Sequence, residues 1–154
     1  MTAPNHALTG AVIGLTIHEP LLAATLAFAS HFVCDAIPHY DPSISDEDGR
    51  IMTRQFIATQ LIAGAILCLA LVVFLAIARP HYWLLAAIGA FLAASPDMFW
   101  IPRFVHAMRT HNDNLKRGWF LRFHAFVQWK TGPRFWAVEA IWFVVFGIVV
   151  VTRL

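Results

Sequence analysis

A chain of 154 residues with 59% hydrophobic and only 13% charged side chains has too little polar surface to cover a water-soluble globule; soluble domains carry about 25% charged residues. A net charge of +2 argues against a nucleic-acid partner. Cys34 and Cys68 both sit in apolar stretches and read as small buried hydrophobes, not as a disulfide framework or a zinc knuckle. The expectation is a single all-α integral membrane domain, residues 1–154, with lipid as the solvent for much of it.

Taken in chain order, the start Met1-Thr-Ala-Pro-Asn-His lacks a basic region, so no cleavable leader is expected. Thr2 or Ala3 caps a first helix and Pro4 suits its first position. Residues 7–17 are apolar but short, and His18-Glu19-Pro20 interrupts them. Residues 21–37 are apolar again, until Pro38 stops the helix. These are either two short spans or a re-entrant hairpin. Gly10 and Gly14 form a small-residue stripe suited to close helix packing. Residues 39–55 form an acidic loop, with Asp46-Glu47-Asp48 read as solvated.

A bilayer-crossing helix needs roughly 20 apolar residues. Residues 56–78 supply one without a charge, 82–101 a second that is interrupted by Ser95-Pro96-Asp97, and 135–152 a third that carries Glu139. The total expected is a polytopic helical membrane protein of about five apolar helices. Residues 102–134 are basic and aromatic, and 119–130 within them read as an interfacial helix. On this topology nine of the eleven lysines and arginines face one side, with only Arg79 and Arg153 opposite. That imbalance predicts a cytoplasmic N-terminus and an external C-terminus.

Ionisable residues are expensive inside a membrane and mark function. His31 and Asp35 are four apart on one helical face, and His39 follows four further on. An imidazole and a carboxylate one turn apart can both serve a divalent metal. The topology places His6, Asp97, His106, His111, His124 and Glu139 toward the same side, so six of eight histidines gather there. His106 and His111 read as solvated. Asp97 serves equally well as a first-turn carboxylate of a short helix. Glu139 is expected to pair with an arginine or to take a functional role.

These residues resemble a known family: the small membrane-bound, predicted metal-dependent hydrolases that include LexA-regulated inner-membrane proteins. The resemblance lies in His6 with Gly10, in Ser30-His31-x-x-x-Asp35, in Pro96-Asp97, in His39-Tyr-Asp41 and in Phe123-His124. It covers the first 41 residues best. Arg109-Thr110-His111 matches only part of the second histidine-rich stretch of larger members.

The resemblance implies a metal-dependent hydrolase at the cytoplasmic face of a bacterial-type inner membrane. The expected cofactor is a divalent metal, zinc first, with His6, His31, Asp35 and Asp97 as ligands. His39 or His124 is expected to act as general acid or to orient a ligand. The basic loop suggests a phosphate-bearing, anionic membrane lipid as substrate. The competing expectation is a non-catalytic small membrane subunit or metal-binding structural protein. A proton relay is disfavoured because the acids cluster at one face, and a haem carrier because no CxxCH occurs.

Overall fold

The computed structural model describes residues 1–40, 54–110 and 116–153. Residues 41–53 of the expected acidic loop, among them Asp41, Asp46-Glu47-Asp48 and Arg50, and also His111, lie outside the described residues, and Arg54 already opens a helix. Seven α-helices are described: α1 (Ala3–Thr16), α2 (Pro20–Asp35), α3 (Arg54–Ala78), α4 (Trp83–Ala94), α5 (Ile101–Thr110), α6 (Trp119–Val127) and α7 (Trp136–Thr152). A 3-10 segment, Ser95–Trp100, joins α4 to α5.

The expected count of about five apolar helices is corrected. Among the described residues two helices, Thr59–Ala78 and Trp83–Ala107, are long and apolar enough to cross a bilayer. The others are held short by their punctuation. Pro20 opens α2 and Pro38 follows its end, leaving 16 residues, and Gly132-Pro133 delays α7 until 17 remain. At about 1.5 Å per residue, both fall short of a hydrocarbon core about 30 Å thick. The outer faces stay apolar: Leu69, Ile77, Ile141 and Ile148 are all exposed. The expected interfacial segment forms α6, with His124 inward and Trp119 and Phe126 outward.

α1 is the centre of the bundle, and its residues Pro4 to Ala11 are all buried. It packs against α2, α3, α4 and α7, most extensively against α4. Glycine permits that approach: a methyl group built on Gly10 would lie 2.1 Å from the Gly89 carbonyl oxygen, and one on Gly14 2.4 Å from that of Leu85. Thr2 takes the N-cap position of α1 with proline just after it, but its side chain caps nothing. The hydroxyl donates instead to Glu139 on α7, at 2.7 Å.

Glu139 also corrects an expectation. Among the described residues its hydrogen bonds come from Thr2 and Asn5 at the start of α1, and none from an arginine. One end of α1 is thereby tied to α7 by buried polar contacts, which fixes the neighbouring His6.

Candidate metal centre

The site assembles where four elements end together. α2 presents His31 and Asp35 one turn apart near its C-terminus, both buried. Beyond Pro38 the chain is extended, and His39 pairs its backbone with the segment after α6. The His39 N–H donates to the Lys130 carbonyl at 3.4 Å, and the His39 carbonyl accepts from the Gly132 N–H at 3.2 Å. α1 contributes His6, α6 contributes His124, and the 3-10 segment contributes Asp97 in its first turn.

Asp35 is the hub. Its Oδ1 lies 3.1 Å from His6 Nε2 and 3.7 Å from His39 Nε2, and it accepts from the amino group of Met1. Its Oδ2 lies 2.8 Å from His124 Nε2, 3.2 Å from His31 Nε2 and 3.0 Å from Gln128 Nε2. The four imidazoles therefore aim the same ring nitrogen at one carboxylate. Asp97 Oδ1 stands 3.7 Å from His31 Nε2 and 3.8 Å from His124 Nε2. The side chains of the four histidines and of Asp35 are fully buried, whereas that of Asp97 is 30% exposed.

All six residues singled out in the sequence thus come together. The metal-binding geometry is tightest for His31, Asp35, Asp97 and His124, whose ligand atoms lie within 4.8 Å of one another. Two further contributors carried no sequence signal: Gln128, which donates to Asp35, and Trp100, whose Nε1 donates to His124 Nδ1 at 2.9 Å. His106 stays on α5, outside this cluster.

The donor set fits a cation. His31 Nδ1 lies 2.7 Å from the Ala93 carbonyl and His39 Nδ1 2.7 Å from the Ile37 carbonyl. A carbonyl only accepts, so each Nδ1 carries the proton and, in the neutral ring, each Nε2 turns its lone pair inward. The cluster then offers a cation two imidazole lone pairs and a carboxylate, which the Met1 amino group and Gln128 already contact as donors. Backbone carbonyls that hold Nδ1–H are also the outer contacts that orient metal-ligating histidines. His6 stacks on His31, with ring centroids 4.0 Å apart, which holds both rings in place.

A cavity of about 560 Å³, lined by Lys116, Arg117, Arg122 and Ala125, opens at α6 and the segment before it. Arg117 reaches over the Trp100 ring, 5.6 Å from its centroid, so this basic cavity adjoins the residue that contacts His124. No protein-family model matches the chain, and neither do any curated protein or solved structure.

Proposed function

We propose that this chain is a membrane-embedded, metal-dependent hydrolase that acts at the membrane face where the cluster lies, on a lipid bearing a phosphate group. The observation that carries the reading is the convergence of four buried imidazole Nε2 atoms on Asp35, with Asp97 as the more exposed member. His31, Asp35 and Asp97 would hold a divalent ion, zinc first, with His6 and His39 close enough to complete or orient the set. When bound, such an ion supplies Lewis acidity and makes water a nucleophile near neutral pH. The chain's own residues do the rest: the buried histidines exclude bulk water, and Asp97 marks the side from which a substrate enters.

The basic cavity supports the phosphate-bearing class. Each basic residue near an anionic surface contributes about 1 kcal/mol, and three line this cavity beside the outward aromatic face of α6. The excess of basic residues on this side supports placing it in the cytoplasm, with the C-terminus outside.

Turnover tests the reading. Detergent-solubilised protein with added zinc is expected to release phosphate or alcohol from phospholipids in mixed micelles, and chelation to abolish it. Replacing Lys116, Arg117 and Arg122 together with alanine is expected to raise KM for an anionic lipid by about tenfold or more, with metal content unchanged. An unaltered KM would remove the cavity from substrate binding.

A second reading has an observation of its own. The complete burial of all four histidine side chains suits a closed structural metal site in a non-catalytic membrane subunit. Stoichiometric metal without turnover on any phosphate ester would favour it.

A further inference from the structure

The four histidines differ in what their Nδ1 atoms meet. In His31 and His39 that atom faces a carbonyl. In His124 it faces the indole N–H of Trp100, at 2.9 Å. An indole nitrogen only donates, so His124 Nδ1 must accept, and in the neutral ring the proton resides on Nε2. His124 is therefore the opposite tautomer from His31. The neighbouring distances agree: His124 Nε2 lies 2.9 Å from His31 Nε2 and 2.8 Å from Asp35 Oδ2, both acceptors in this arrangement. Arg117 over the Trp100 ring and the ring contact of Trp100 with His124 hold the indole in place.

A nitrogen that carries a proton has no lone pair for a metal. We infer that Trp100 is a positioning residue that keeps the His124 proton on Nε2, making His124 the proton donor of the centre and excluding it from the ligands. The ligand set is then His31, Asp35 and His39, completed by His6, with Asp97 on the exposed side. This moves His39 from the acid–base role expected of it into the metal shell, and it separates His124 from the three residues it clusters with most tightly. What the proton serves rests on the hydrolase reading. As the bond to the leaving oxygen breaks, His124 Nε2–H protonates that oxygen. The oxygen of water forms the new bond, and the proton that water sheds restores His124.

Proton–nitrogen correlation spectra of protein labelled with ¹⁵N-histidine, in detergent micelles, test the inference. In metal-free protein His124 is expected as the Nε2–H tautomer and His31 as the Nδ1–H tautomer. In Trp100→Phe, His124 is expected to populate both. On zinc loading the His31 and His39 nitrogens shift and those of His124 do not, and His124→Ala retains zinc while His39→Ala loses it. An Nδ1–H tautomer at His124 in the wild type, or direct zinc ligation by His124, would overturn the inference. The metal-free spectrum decides the tautomer even if the chain hydrolyses nothing, so failure here is distinguishable from failure of the hydrolase reading.

In turnover, Trp100→Phe is expected to slow phenyl phosphate by about a hundredfold and p-nitrophenyl phosphate far less, because only the poorer leaving group needs the proton. Equal losses on both would assign Trp100 a purely structural role.

Discussion

Asp35→Ala is expected to destabilise the domain by about 3–5 kcal/mol, the cost of removing one partner from a buried ionic cluster. The carboxylate accepts from the Met1 amino group, His124 and Gln128, and lies within 4 Å of His6, His31 and His39. Its removal leaves the buried amino group of Met1, just ahead of α1, and His124 on α6 without their acceptor. A folded protein has only about 5–15 kcal/mol of net stability, so the loss is large. Thermal unfolding in detergent is expected to drop by roughly 10 °C or more. Asp35→Asn keeps the shape but not the charge, and is expected to fall between. An unchanged melting temperature in Asp35→Ala would show that the elements meeting there are held by packing alone.

The second large effect lies at the crossing of α1 and α4. Gly10→Leu is expected to force the helices apart, because even a methyl group at that position would overlap the Gly89 carbonyl. The opposing atom is backbone, so it cannot rotate away. Overpacking in a rigid core costs typically about 1–3 kcal/mol, and a leucine against backbone belongs at or beyond the upper end. His6 sits one turn before Gly10 on the same helix, so displacement of α1 also carries an imidazole away from Asp35. The variant is therefore expected to lose both stability and metal. Gly147→Leu, on open space in α7, provides the control and is expected to behave as wild type. Equal behaviour of the two variants would mean that the close crossing is not a determinant of the fold.

The local part of the site was legible because helical periodicity is a local property. His31 and Asp35 share a face through their spacing alone, and Pro4, Pro20 and Pro38 mark where helices start and stop. The small stripe at Gly10 and Gly14 pointed to a close crossing without saying which helix would fill it. Its partner, Gly89, is a tertiary fact. The convergence of His6 and His124 on Asp35 is also tertiary, although the gathering of histidines toward one side hinted at it.

Trp100 and Gln128 gave no signal. A tryptophan near a helix end ordinarily reads as an interfacial anchor, and a glutamine beside Trp129 and Lys130 reads as surface. Only the placement of α6 against the end of α2 turns them toward His124 and Asp35. The number of crossing helices was overestimated for a related reason. Apolar composition signals burial, but it does not say whether lipid or protein covers the helix. α1 is covered by protein.

Elemental analysis of detergent-purified protein, wild type beside Asp35→Asn and His31→Ala, tests the central claim most directly. About one zinc or other divalent ion per chain in the wild type, lost in both variants while they remain folded, is the result expected of a centre built on Asp35. Wild-type protein that takes up no divalent metal under any loading condition would contradict it, and would make the buried histidine cluster a scaffold joining α1, α2 and α6.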